Sequence, residues 1–121
     1  MVLYNQLPIY RDSYILLSDI YQVTSKFPRD YKYTLGQDMK RDCLALFRDL
    51  YGANVSVEKR REHLDNFLTA FEMLKIEIRL CVDMNVLSIR KMSQLSLLMD
   101  SIAKQASAWR RRTAPANATA E

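Results

Sequence analysis

An apolar stripe in the last third of the sequence most constrains what this chain can fold into. Its members recur at spacings of three and four and are Met92, Leu95, Met99, Ile102, Ala106 and Trp109. This spacing places them on one face of an α-helix and does not fit the two-residue period of a β-strand. Ser88 is the predicted N-cap of this helix, and Arg112 its last residue. A helix with such a face must bury it against other helices.

Three earlier segments have the same period, and only two glycines and three prolines interrupt the 121 residues. The spacing predicts helices over Ile9–Lys26 and Tyr33–Ala53, with a stop at Gly52 and Asn54, and a third from an N-cap at Ser56 to a stop at Asn85. The predicted core residues of these three helices, in order, are Ser13, Leu16, Ile20, Val23 and Phe27; Leu35, Met39, Cys43, Leu46, Phe47 and Leu50; and Leu64, Phe67, Leu68, Phe71, Leu74, Ile78 and Cys81.

Four helices joined by short turns predict an all-α fold, an antiparallel up-down-up-down four-helix bundle over residues 1–112. The alanine-rich residues 113–121 are predicted to be a disordered tail. A chain of 121 residues has the size of one domain. No apolar run approaches the roughly 20 residues that span a bilayer, and the N-terminus lacks an export signal, so we expect a cytoplasmic protein with no membrane partner.

Two helices carry more apolar residues than one core face requires. Beside the core residues of the first helix run Tyr10, Tyr14, Leu17 and Tyr21, and beside those of the third run Met73, Ile76 and Leu80. These seven residues are the predicted interface of a cyclic homo-oligomer, because large apolar patches usually mark interfaces. The alternative is a monomer with scattered apolar surface residues, which are normal and need no explanation.

Catalytic and metal-binding patterns are not found in the sequence. His63 is the only histidine and is predicted to be a solvated helix residue. Cys43 and Cys81 are predicted to be buried free thiols, since neither stands at ligand spacing. Two isolated glycines form no phosphate-binding loop, and the acidic residues are predicted to pair with basic ones on helix surfaces. We therefore expect a protein that is not an enzyme and uses no metal or cofactor.

Basic residues cluster along the chain, which has a net charge of +4. In an up-down bundle the third helix begins at the end where the fourth finishes, so Lys59, Arg60 and Arg61 join Arg110, Arg111 and Arg112. These six are the predicted nucleic-acid-binding residues. Cations are unfavourable at a helix start, which favours an external anion as their reason for being there. The alternative is a solvated surface with Arg110–Arg112 complementing a helix C-terminus. Trp109 is assigned to the core, which leaves base reading unsupported.

Several segments resemble the four-helix-bundle family of accessory variability determinant (Avd) proteins of diversity-generating retroelements. The matching segments are Leu7–Tyr10 through Ile20-Tyr21, Thr24–Arg29, Tyr33–Gly36, Ile78–Leu80, Leu87-Ser88 and Trp109-Arg110. The resemblance implies a ring-shaped homopentamer that binds a reverse transcriptase and its template RNA. The related proteins encoded in rRNA intervening sequences carry a Ser-Asn-Ile-Ala-Glu-Gly-like motif at the end of helix two. This chain has Leu50–Asn54 there, which favours the Avd-like assignment.

The sequence thus predicts a non-enzymatic accessory protein that binds nucleic acid, RNA or DNA, together with a reverse transcriptase. The alternative is a protein-binding scaffold of the rRNA intervening-sequence type without a reverse transcriptase partner. Its protein partner would dock on Tyr10, Tyr14 and Tyr21 of the first helix or on the exterior of the ring. An unrecognised enzyme is the third possibility, and it lacks any constellation of residues with catalytic geometry.

Overall fold

The computed structural model describes residues 6–115, which form four long helices and one single-turn helix. The helices are α1 (Pro8–Thr24), α2 (Arg29–Lys32), α3 (Leu35–Val55), α4 (Arg60–Asp83) and α5 (Ile89–Arg112). The predicted all-α four-helix bundle is confirmed. Thr113, Ala114 and Pro115 follow α5 without helix, and the rest of the predicted disordered tail lies outside the described residues.

The long helices pack around a common core in a closed order. α3 contacts α1 and α4, and α5 also contacts α1 and α4. α1 and α4 therefore stand at opposite corners of the bundle, and each has a solvent-facing side of its own. Short connections make successive long helices antiparallel.

The core consists mainly of the stripes that the sequence predicts. Leu16, Ile20, Met39, Leu46 and Phe67 are completely buried. Cys43 and Cys81 are buried free thiols, as predicted, and the Cys81 thiol lies 3.3 Å from the Met39 sulfur. Burial raises the pKa of both thiols to about 12, which makes them poor nucleophiles.

The polar connection after α1 begins earlier than the sequence predicts, because hydroxyl groups compete for the last carbonyls of the helix. Thr24 Oγ1 donates a hydrogen bond to Ile20 O at 2.7 Å, and Ser25 Oγ donates to Gln22 O at 2.6 Å. The bond to Gln22 O satisfies a carbonyl that the helix end leaves free, whereas the bond to Ile20 O is a local back-bond of the kind that slightly destabilises a helix. The single turn of α2 follows, and α3 begins at Leu35 rather than at Tyr33.

The turn between α4 and α5 has the capping residues that the sequence predicts. Asn85 has a left-handed backbone, with φ of 61°, and Val86 N donates to Cys81 O at 2.9 Å. This is the Schellman arrangement that ends a helix. Ser88 then caps α5, since its Oγ accepts a hydrogen bond from Lys91 N at 3.0 Å.

Gly52 and His63 do not have the roles that the sequence suggests. Gly52 lies inside α3, which continues to Val55, and it is buried rather than marking the end of the helix. A Cβ atom at this position would come within 2.7 Å of three ring atoms of His63. The His63 ring is therefore packed against α3 rather than simply solvated, and its Nδ1 lies 3.1 Å from Asp49 Oδ1.

The start of α4 is also later than predicted. Ser56 Oγ accepts a hydrogen bond from Lys59 N at 3.2 Å, but this bond closes a turn, and α4 begins only at Arg60. Ser56 therefore caps the turn that enters α4 instead of the helix itself.

Glu77 of α4 is an exception to the predicted pairing of acidic with basic residues. It faces Asp42 and Asp38 of α3, and its buried Oε1 atom has no hydrogen-bond partner among the described residues. Burial, then the hydrogen bond and charge of Asp42 and the charge of Asp38, raise the pKa of Glu77 to about 8, although Arg41 opposes the shift. Other acidic residues do pair as predicted, as in the Lys75–Glu72 pair at 3.1 Å and the Arg79–Asp83 pair at 3.4 Å, but Asp19, Glu62 and Asp100 form no ion pair among the described residues.

The described residues contain no helix that is both long and apolar enough to cross a membrane. The same residues contain no group of three or more histidine, cysteine, aspartate or glutamate side chains placed to hold a metal ion.

The contact between Gly52 and His63 predicts an unusual double-mutant result. In a helix interior, Gly→Ala ordinarily stabilises by about 1 kcal/mol, but a forced overlap in a packed site costs about 1–3 kcal/mol. We expect Gly52→Ala to destabilise the wild-type protein and to stabilise a His63→Ala variant in urea unfolding. Equal effects of Gly52→Ala in both backgrounds would show that the ring does not occupy this space.

The environment of Glu77 predicts a stability that declines with rising pH. Between pH 4.5, the ordinary pKa, and about 8, the folded protein holds a proton that the unfolded chain has released. The free energy of unfolding therefore falls across this window and levels off above it. Glu77→Gln should remove much of this decline in urea titrations from pH 5 to 9, whereas Glu72→Gln, on the exposed face of α4, should keep it. An unchanged slope for Glu77→Gln contradicts the assignment.

Candidate nucleic-acid interface

Both predicted basic segments lie at one end of the bundle. The side chain of Arg61, in the first turn of α4, donates a hydrogen bond to Thr113 O, just beyond α5, at 2.8 Å. Its Nη1 also lies 3.5 Å from Arg110 O. The structure thus brings Lys59–Arg61 next to Arg110–Arg112, the arrangement that up-down connectivity predicts.

Arg60 connects the start of α4 to the end of α3. Its Nε donates to Ala53 O at 2.6 Å and its Nη2 to Asn54 O at 3.2 Å, which satisfies carbonyls in the last turn of α3. The guanidinium also stands over the ring of Trp109, 5.7 Å from its centre. This distance is within the range of a cation–π interaction.

Arg61 and Arg110 also have partners inside the protein. Arg61 binds carbonyls at the C-terminal end of α5, where a helix carries partial negative charge. Arg110 Nε forms an ion pair with Asp65 Oδ1 of α4. The partial negative charge of carbonyls at two helix ends therefore stabilises Arg60 and Arg61. An external anion is not needed to explain why these two cations stand at a helix start.

Lys59, Arg111 and Arg112 differ from these three arginines. All three are exposed, and no side-chain hydrogen bond or ion pair holds them within residues 6–115. Their charges are therefore available to an external anion without breaking an internal contact. The six predicted residues are close together, but they divide into three that stabilise the end of the bundle and three that are free.

Trp109 is the functional candidate that the sequence does not identify. The sequence places it on the core stripe, yet it is only partly buried, whereas Leu95, Met99, Ile102 and Ala106 of that stripe are buried. It lines an open pocket of about 640 Å³ at the basic end of the bundle. The sequence did carry one indication of this exposure. Trp109 is the last member of the stripe and stands directly before Arg110, where the core of the bundle ends.

The predicted apolar interface residues of α1 lie on the side that faces α3. Tyr14 is 57% exposed, and Tyr21 is also exposed. The ammonium group of Lys40 lies over the Tyr21 ring, 5.4 Å from its centre. Tyr10 packs edge-on against Phe47 of α3, with ring centres 5.3 Å apart. Leu17 is partly buried there. The sequence did not point to two exposed residues of α3, which extend this surface: Leu44 and Tyr51.

The predicted interface residues of α4 form a second apolar surface. Ile76 is 60% exposed, and Met73, Leu80 and Met84 are also exposed. Because α1 and α4 stand at opposite corners, the chain has two separate apolar surfaces rather than one continuous patch. In the single chain the core covers only one stripe of each helix, so the predicted interface residues of α1 and α4 are exposed or only partly buried.

Comparison with known proteins gives a family. Among curated proteins, no sequence matches this chain. A sequence model of the family described as bAvd-like matches residues 1–113. This range includes all four long helices and both basic segments, Lys59–Arg61 and Arg110–Arg112. This match agrees with the resemblance seen in the segments Thr24–Arg29 and Trp109-Arg110. The chain belongs to the bAvd-like family.

Proposed function

We propose that this protein is a non-catalytic accessory factor of a diversity-generating retroelement, and that it binds nucleic acid and a reverse transcriptase. Membership of the bAvd-like family supports the accessory role. The observation that carries the nucleic-acid part is the set of free cations at one end of the bundle, namely Lys59, Arg111 and Arg112.

The internal contacts of the other three arginines support this role indirectly. Arg60 and Arg61 fix the ends of α3 and α5 relative to α4, so the free cations are carried on a fixed framework. Binding a phosphate backbone therefore orders the side chains of these cations but not the helix ends that carry them. Release of counterions from the polyanion then contributes most of the affinity.

Assembly would multiply a modest charge. A net charge of +4 is small for a protein that binds a polyanion, but each subunit of a ring adds another basic end. The two apolar surfaces at opposite corners suit a head-to-tail contact, in which one surface of a subunit meets the other surface of the next. Such heterologous contacts generate closed rings when the rotation closes. A homopentamer is the ring that the family resemblance implies.

The exposed tyrosines favour one alternative function. Tyr14, Tyr21 and Tyr51 form an aromatic surface of the kind that is enriched in protein interfaces. The alternative is a protein-binding scaffold, like the rRNA intervening-sequence proteins, without a reverse transcriptase partner. A protein partner other than a reverse transcriptase that stays bound after nuclease treatment and in high salt would favour it.

Nucleic-acid binding is tested by removing the free cations. The variant Lys59→Gln, Arg111→Gln, Arg112→Gln should bind single-stranded RNA at least about tenfold more weakly at low salt. Its salt dependence should also be shallower, by about 2 in the slope of log K against log salt for three lost contacts. Fluorescence anisotropy with a labelled oligonucleotide measures both quantities.

The matched control removes the same charge from the opposite end of the bundle. Lys26, Arg29 and Arg90 are exposed there, and their triple glutamine variant should bind RNA nearly as well as the wild type. Undetectable RNA binding at low salt by the wild type, or equal losses in the two variants, contradicts the proposal.

A further inference from the structure

The pocket beside Trp109 has walls that nucleic-acid binding by phosphate contacts alone does not require. Apolar side chains from the start of α1, from the last turns of α3 and α5 and from the turn after α3 form most of its surface: Leu7, Ile9, Val55, Val57 and Ala108. Its volume of about 640 Å³ is in the range of small-molecule sites. It is open to solvent at the same end of the bundle as Arg111 and Arg112.

The charged and polar groups of the pocket indicate the chemistry of its occupant. Arg60 and Arg112 line it, and none of the described residues that line it carries a carboxylate. Asn54 and Gln105 also line it, and Gln105 Nε2 donates a hydrogen bond of 2.7 Å to Asp12 Oδ2. An apolar wall, a tryptophan ring, the Gln105 side chain and the free cation Arg112 together suit a flat aromatic group with hydrogen-bonding edges and an attached anion.

We propose that this pocket receives an unpaired base of single-stranded nucleic acid, which contacts Trp109 while Arg112 binds the adjacent phosphate. This inference rests on the proposed nucleic-acid binding and deepens it by naming the form of the strand. Aromatic side chains beside a basic surface are the usual means of holding unpaired bases. Amide side chains can bond the edges of a base, which an aliphatic chain or a phenyl ring could not use.

The pocket distinguishes single strands from duplexes. In a duplex the faces of each base are covered by its neighbours, so only an unpaired or flipped base can contact Trp109. The free cations Lys59, Arg111 and Arg112 bind phosphates of either form. Duplex binding should therefore depend on these cations alone, and single-strand binding on both the cations and the pocket.

Trp109 is the only tryptophan of the chain, so its fluorescence reports on this pocket alone. The full-length protein is titrated with three oligonucleotides of equal length and charge per strand: a single-stranded RNA, its duplex and an abasic strand. We expect the single-stranded RNA to quench Trp109 emission. The abasic strand and the duplex should bind, with salt-dependent affinity measured by anisotropy, and should leave the emission nearly unchanged.

Variants separate the base contact from the phosphate contacts. Trp109→Leu should weaken single-stranded RNA binding about tenfold, as expected for loss of one stacked base, and should leave abasic-strand binding unchanged. Trp109→Phe should retain most of the affinity. Val57 lies on the pocket wall and is 71% exposed, so Val57→Glu places a negative charge there without disturbing the core. It should weaken single-strand binding more than Ile89→Glu, the same charge change at the other end of α5.

The outcomes distinguish failure of this inference from failure of the proposed function. Equal binding of all three oligonucleotides without change in Trp109 emission overturns the base pocket and leaves the phosphate-binding surface in place. No binding of any oligonucleotide at low salt overturns both. Quenching by an acidic peptide bearing an aromatic residue, but not by RNA, overturns the base pocket in favour of a protein partner. If Trp109→Leu does not fold, the comparison of Val57→Glu with Ile89→Glu decides.

Discussion

The packing of α4 against both α3 and α5 fixes the positions of the basic residues at one end of the bundle. Its apolar stripe, with Phe67, Phe71 and Leu74 at the centre, is buried between those two helices. Once that register is set, the first turn of α4 lies between the last turns of α3 and α5. Arg60 and Arg61 then bind the carbonyls that both helices leave free. The basic end of the bundle is therefore a consequence of how its core packs.

The cations at this end of the bundle form two groups, which the sequence alone does not distinguish. Arg60 and Arg61 donate hydrogen bonds to backbone carbonyls, and Arg110 forms an ion pair with a carboxylate. Lys59, Arg111 and Arg112 have no such partner among the described residues. Substituting the first group would change stability as well as binding. Only substitutions in the second group test the proposed nucleic-acid binding without disturbing the fold.

Periodicity predicted most of the fold because it reflects burial along a single helix. The stripes of α3, α4 and α5 and the caps at Asn85 and Ser88 depend on nearby residues, and the structure confirms them. The role of Gly52 depends on His63, eleven positions later and on another helix, so a single-helix pattern identified it only as a helix stop. Glu77 is similar, since its partner Asp42 lies on α3.

The candidate site was predictable in location but not in detail. Connectivity alone places Lys59–Arg61 beside Arg110–Arg112, because the parity of an up-down bundle requires it. The internal partners of Arg60 and Arg61 are backbone carbonyls, which no side-chain pattern reveals. Trp109 follows the core period to its end, and only the structure shows that the core stops before this ring is fully covered.

We propose that this bundle is one subunit of an assembly that carries several basic ends. Light scattering on the full chain at micromolar concentration tests it most directly. We expect the mass of several chains, five in the ring that the family resemblance implies. Ile76→Glu should lower this mass, whereas Leu97→Glu, at a residue of α5 that is more exposed than Ile76, should not. The mass of a single chain for the wild-type protein at low and moderate salt would show that the bundle does not assemble.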